Sequence, residues 1–154
     1  MKRLSLYIVL ALTGLILFGV TEAFAQKKTM NAPVIWQAAD LKWVEIPNTG
    51  GVMMAVLWGD PDKGAYGALN KFPAGAKFPL HYHTNSMKVV LISGTWLYTP
   101  EGGKESRLGP GSYLSYGAKD RHLSGAAEGS ECIFFLEQPG KFDMVPIEAP
   151  KEKK

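Results

Sequence analysis

From residue 36 onward the chain alternates short apolar runs with clusters of turn residues. Runs of strand length lie over residues 52–58, 66–72, 78–83, 87–92, 95–98, 112–116 and 131–136. Gly59-Asp60-Pro61, Pro73-Ala74-Gly75, Ser93-Gly94 and Gly102-Gly103 punctuate them, residue types whose backbone preferences end strands. No stretch beyond residue 25 keeps the 3.6-residue apolar period of a core helix. Many short strands at close spacing predict an all-β domain, a sandwich or a barrel. In the last run, alternation sets Cys132, Phe134 and Leu136 on one face and Ile133 and Phe135 on the other. The Cys132 face carries more of the apolar side chains and is expected to point inward. Residues 36–46 are expected to add a strand that covers a sheet edge.

The start of the chain has a different pattern. Lys2 and Arg3 precede a nearly unbroken apolar run over residues 4–20, and Ala23-Phe24-Ala25 follows before Gln26. A basic start, an apolar stretch and small residues two apart form an export signal, cleaved after Ala25. The rival reading is an uncleaved anchor, but a 17-residue run makes only about 25 Å of helix against a ~30 Å hydrocarbon core. With no cysteine behind the run, a lipid-anchored form is excluded. The expected organisation is a leader over 1–25, a loose arm over 26–34, one domain over 35–148 and a charged tail over 149–154. The expected location is periplasmic or secreted.

Composition narrows the class. The chain has 154 residues, 46% hydrophobic and 20% charged, which fits one globular domain and excludes a disordered chain. Gly 17 and Pro 10 agree with many turns. The net charge is +3, much of it in the Lys151-Glu152-Lys153-Lys154 tail, so no nucleic-acid partner is expected. Membrane contact is expected only through an uncleaved leader. A single cysteine, Cys132, excludes a disulfide framework and a Cys-rich zinc site, and in its apolar run it reads as a buried small hydrophobe.

Candidate chemistry rests on the three histidines, His81, His83 and His122. The i, i+2 spacing of the first two puts both rings on one face of a strand. Neutral imidazole is the commonest protein metal ligand, and a three-nitrogen site suits zinc, copper, iron or nickel. Taken alone, the pair also reads as two ordinary strand histidines.

The glycines around them add to this. Five residues separate Gly75 from His81, three separate His83 from Met87, and six separate Met87 from Gly94. Gly111 stands eleven positions before His122, and sixteen residues separate Gly94 from Gly111. These spacings resemble the two motifs of the cupin superfamily over residues 75–122. The resemblance implies a single-domain jelly-roll β-barrel whose two motifs line one end. It implies one divalent transition metal (Fe, Zn, Mn, Cu or Ni) held by His81, His83 and His122. It also implies a homodimer, paired through the added edge strand. Met87 stands where cupins usually carry a glutamate ligand, and is expected as a pocket wall because a thioether is a weak ligand. Gly117 and Lys119 replace the second motif's Pro and Gly, and Ala126 its final Asn, so a turn of different shape is expected. The ligand set is similar to that of three-histidine cupins such as acetylacetone dioxygenase, in which non-haem iron and O₂ cleave a bound enolate.

Around the histidines, alternation is expected to turn Met87 and Val89 inward, and Phe134 and Leu136 complete a mostly apolar pocket. Tyr116 is expected near its mouth. Glu137 is the carboxylate expected to support a metal-bound histidine. Asp120 and Arg121 are expected in a solvated turn. The expected function is an exported metal-dependent enzyme, dioxygenase-like or hydrolytic, acting on a small chelating substrate. The alternatives are a non-catalytic cupin that binds or senses a small molecule, and a structural domain with a relic site. No P-loop, dinucleotide fingerprint or nucleophile–histidine pair names another reaction.

Overall fold

The computed structural model describes residues 32–148. The expected leader and charged tail lie outside the described residues, as does most of the expected arm. The described strands, in chain order, are β1 (Val44–Glu45), β2 (Met53–Gly59), β3 (Tyr66–Phe72), β4 (Lys77–Tyr82), β5 (Met87–Ser93) and β6 (Trp96–Pro100). They continue with β7 (Ser106–Leu108), β8 (Tyr113–Tyr116), β9 (His122–Ala126), β10 (Cys132–Gln138) and β11 (Val145–Pro146). A 6-stranded sheet runs β1-β2-β3-β10-β5-β8 and a 5-stranded sheet runs β11-β4-β9-β6-β7. All pairings are antiparallel, and the two sheets enclose the core in a jelly roll. Among the described residues no helix is long and apolar enough to cross a membrane.

Alternation explains which residues fill the core. Along β5, Met87, Val89 and Leu91 are buried while Lys88, Val90 and Ile92 are exposed. Along β10 the Cys132 face is inward, with Cys132, Phe134 and Leu136 buried. At one level of the barrel, rings from both sheets meet. Phe134 lies 4.3 Å from Trp96 and 4.8 Å from Phe72, and Phe78 lies 4.7 Å from Phe72. Full burial of each such side chain contributes about 1.5–3 kcal/mol, so this cluster is a main source of the sandwich's cohesion.

Three strands have no counterpart among the expected apolar runs: β7, β9 and β11. β9 reads His-Leu-Ser-Gly-Ala, so its buried face carries His122 and Ser124 and no apolar run marks it. Of residues 36–46, only Val44–Glu45 forms a strand, and it pairs with Met53 and Met54 at the start of β2. Ala38–Asp40 instead makes a single 3₁₀ turn.

The motif glycines are needed for their backbone. Gly75, Gly94 and Gly111 all have positive φ, at 72°, 74° and 83°. At Gly94 a Cβ would also meet the Glu131 carbonyl oxygen at 2.2 Å, because the β5–β6 turn runs against the start of β10. Gly102, with φ 70°, has open space around it. Gly102→Ala is therefore expected to lose only the left-handed backbone cost of ~1–2 kcal/mol. Gly94→Ala is expected to lose clearly more in urea unfolding, since backbone must move as well. Equal losses at the two sites would contradict the close approach.

Candidate metal centre

The histidines come together through the pairing of β4 with β9. Lys77 faces Gly125 and Phe78 faces Ser124, but the register shifts before His81 faces His122. The extra residue falls at Pro79-Leu80, where proline has no N–H for the ladder. Bulges of this kind re-aim side chains. Here the consequence is specific: the Pro79 carbonyl turns back to accept the His81 Nδ1–H at 2.7 Å. His83 lies just beyond β4, and its Nδ1–H donates to the Asp143 carbonyl, on the segment leading into β11. His122 opens β9, and its Nδ1–H donates to the Asp120 carbonyl at 2.9 Å.

All three acceptors are carbonyl oxygens, which can only accept. The proton must therefore sit on Nδ1 in each ring, and the Nε2 lone pair is left free. One ring nitrogen from each histidine lies within 4.8 Å of the others, and all three side chains are buried. His122 Nε2 has no hydrogen-bond partner among the described residues. Burial disfavours the imidazolium form, holding His83 and His122 down at about 4 and lowering His81 as well. The charge of one ring would oppose that of the next in this cluster. A divalent cation fits the group: three neutral, preoriented nitrogen donors with a buried lone pair that no protein donor satisfies.

The turn before His122 is built from residues other than those of the cupin motif. Lys119 adopts φ 64° where the cupin motif has glycine. Its N–H donates to the His83 carbonyl at 2.8 Å, tying the turn to the end of β4. Asp120 Oδ2 accepts the Gly117 N–H at 2.7 Å, and Arg121 pairs with Glu101 at 3.0 Å. Lys119 in the left-handed region and the Asp120 side chain shape this turn. The Asp143 carboxylate holds the other approach, accepting from Thr84 N–H at 2.8 Å and from the Thr84 hydroxyl.

Met87 is buried beside the centre, and its sulfur accepts the Tyr116 hydroxyl at 2.9 Å. The Tyr116 ring lies 4.7 Å from His122 and 6.0 Å from His83, and burial raises its hydroxyl pKa. A small cavity of about 50 Å³ reaches His81 and His83, with Met87, Tyr116, Phe134 and Leu136 also on its wall. Two expected residues lie elsewhere. Val89 is packed in the core and is not on the cavity wall. Glu137 lies on the outer face, about half exposed, 3.4 Å from Lys88. The alternation that turns Leu136 inward necessarily turns Glu137 outward, so it cannot support a histidine.

Other residues near the centre were not expected from the sequence. The Tyr98 ring lies 5.2 Å from His122 and 5.9 Å from Tyr116. Asn70, Trp96 and Ser124 also line the cavity. Asn70 has a readable signal: it occupies the third inward position of β3, after Tyr66 and Ala68, as a buried polar side chain among apolar ones. Phe142 and Met144 belong to a segment that pairing with β4 brings back to the site, and nothing local marks them.

Residues 20–145 match the profile of a family described as a domain of unknown function, DUF4437. Among solved structures, an RmlC-like cupin protein of Ralstonia eutropha JMP134 is 29% identical, with a TM-score of 0.59 over 70% of this chain and 68% of that one. The chain is a cupin of the DUF4437 family. The polyketide cyclase RemF of Streptomyces resistomycificus is 16% identical, with a TM-score of 0.64 over 78% of this cupin and 89% of that chain. A predicted oxalate decarboxylase of Thermotoga maritima is 18% identical, with a TM-score of 0.58 over 70% and 99%. At those identities the two share the fold with this cupin. No curated protein sequence matches it.

The depressed histidine pKa values set a pH dependence. In the unfolded chain each ring takes a proton near 6.5, while in the fold His83 and His122 resist protonation down to about 4. The unfolded state therefore binds more protons between these values, and stability falls as pH drops through them. The urea midpoint of the metal-free cupin is expected to decline from pH 7 to pH 4, and less so in a His83→Gln, His122→Gln variant. An identical decline in both proteins would assign the loss to other groups.

Proposed function

We propose that this cupin is an exported metal-dependent enzyme acting on a small chelating substrate at His81, His83 and His122. The observation that carries this reading is the set of three Nδ1–H bonds to carbonyl oxygens, which leaves three neutral Nε2 donors. A divalent ion held there would keep its full charge, leave positions open to an oxygen-donor ligand and polarise it as a Lewis acid. The histidines' backbone acceptors hold the rings in one tautomer and orientation. The apolar wall, with Met87, Phe134 and Leu136, limits water around a bound ligand. Export rests on the leader over 1–25.

Among the described residues on the cavity wall there is no Asp, Glu or Lys. A reaction that needs a carboxylate or amine base therefore suits this cavity poorly. Chemistry on a substrate already chelated as an enolate, with O₂ as co-reactant, suits it better. The same feature supports the second reading, a non-catalytic cupin that binds or senses a small molecule. A solved polyketide cyclase, a predicted oxalate decarboxylase and DMSP lyases share this fold, which supports the enzyme reading first.

Metal content by mass spectrometry on protein matured in the periplasm tests the centre. About one metal per chain is expected, with a His81→Ala, His122→Ala variant losing it. Either single variant is expected to weaken binding by more than the ~10–100-fold cost of losing an outer partner. Absence of metal after reconstitution with iron, zinc, copper and manganese would overturn the metal reading. Iron would direct the next assay to O₂ consumption, and zinc or manganese to hydrolysis or isomerisation.

Met87 gives an independent test. Met87→Glu places a carboxylate at a buried position beside three neutral rings, where an unpaired charge is costly. The variant is expected to unfold at lower urea than wild type when metal-free and to gain more stability from added zinc than Met87→Leu, which keeps the three histidines alone as donors. Equal gains from zinc in Met87→Glu and Met87→Leu would remove Met87 from the centre.

A further inference from the structure

Two buried donors of the same cavity are used neither by the histidine cluster nor by the fold. Asn70 is 2% exposed and Trp96 is 3% exposed, and both line the cavity. Asn70 Nδ2 and Trp96 Nε1 have no hydrogen-bond partner among the described residues. Buried donors are ordinarily paired, because leaving them without an acceptor forfeits their hydration. An indole N–H can only donate, so at Trp96 the missing partner must be an acceptor.

The two donors share one level of the barrel. Asn70 on β3 is the cross-strand partner of Phe134, and Trp96, from the opposite sheet, packs its ring 4.3 Å from the Phe134 ring. That level lies away from the histidines. Trp96 pairs with Ala126, four positions along β9 from His122, or ~13 Å of strand. Phe72 and Phe134 surround the donors with apolar surface. Among the described residues on the wall there is no Lys or Arg, so a carboxylate at this level would be buried without a counter-charge.

We propose that the ligand of this cupin carries an uncharged acceptor, a carbonyl or ether oxygen, at the end remote from the three histidines, and that Asn70 Nδ2 and Trp96 Nε1 receive it. The ligand class is then a small molecule with an apolar middle, oxygen donors at one end and a neutral acceptor oxygen at the other. The inference rests on the proposed metal centre only for which end faces the histidines.

The test uses 2-butanone and its apolar isostere 2-methyl-1-butene as probes of the full chain matured in the periplasm. The readout is the Trp96 indole N–H resonance, assigned by its loss in Trp96→Phe. With 2-butanone the resonance is expected to move downfield and saturate, and with the alkene to stay. Asn70→Leu is expected to weaken 2-butanone binding about three- to tenfold, the worth of one neutral hydrogen bond. Should Asn70→Leu not fold, the comparison of the two probes on the unaltered protein still decides. A stationary indole resonance with 2-butanone, or equal affinity for the two probes, would overturn the proposal and assign the donors to water. Zinc uptake, measured on the same sample, separates the two readings. Ketone preference without zinc binding overturns the metal centre alone, and zinc binding without ketone preference overturns this inference alone.

Discussion

The structure depends on three imidazoles kept neutral and out of water at one end of a β-sandwich. Burial alone would leave three polar rings competing for partners in an apolar interior. The chain meets this by giving each Nδ1–H a backbone carbonyl, from Pro79, Asp143 and Asp120. Those bonds satisfy half of each ring and determine where the other half must look. The same burial holds the rings deprotonated well below their ordinary range, so they remain lone-pair donors through mildly acidic pH.

Each carbonyl comes from a place where the backbone departs from regular pairing. Pro79 sits at the register shift between β4 and β9, and Asp120 sits in the turn after Lys119, itself left-handed at φ 64°. Asp143 precedes β11, whose pairing with Tyr82 and His81 brings the segment back to the site. A carbonyl within the ladder is engaged with the next strand. Irregular backbone is what frees one to orient a side chain. The regular part of the jelly roll then serves as the rigid frame against which these three exceptions are held.

The cavity wall carries polar residues at more than one level of the barrel, among apolar side chains. His81 and His83 lie there with Tyr116 and Met87, and Asn70 and Trp96 lie beside Phe134. Met87 in place of the usual cupin glutamate removes a charge from beside the histidines, and its sulfur instead takes the Tyr116 hydroxyl. Among the described residues the cavity wall carries no Asp, Glu, Lys or Arg, so shape and hydrogen bonding outweigh charge on it.

Sequence alone was enough for the all-β class, the inward face of β10, most strand positions and the histidine cluster. These follow from period-two alternation, from glycines at positive φ and from motif spacing, all of which are local in the chain. It misled at Glu137, although the same alternation that buries Leu136 already turns that residue outward. Strand β9 is not legible in the sequence, because its buried face carries His122 and Ser124 and no apolar run marks it. Tertiary structure decided the rest. Only the register shift at Pro79-Leu80, the return of Asp143 and the placing of Asn70 and Trp96, from two sheets, on one cavity wall determine the tautomers and the polar residues beside Phe134. Pro79 and Asp120 lie only two residues before the histidines they hold, but the Asp143 carbonyl is 60 residues from His83, and no local pattern encodes that meeting or the one between the two sheets.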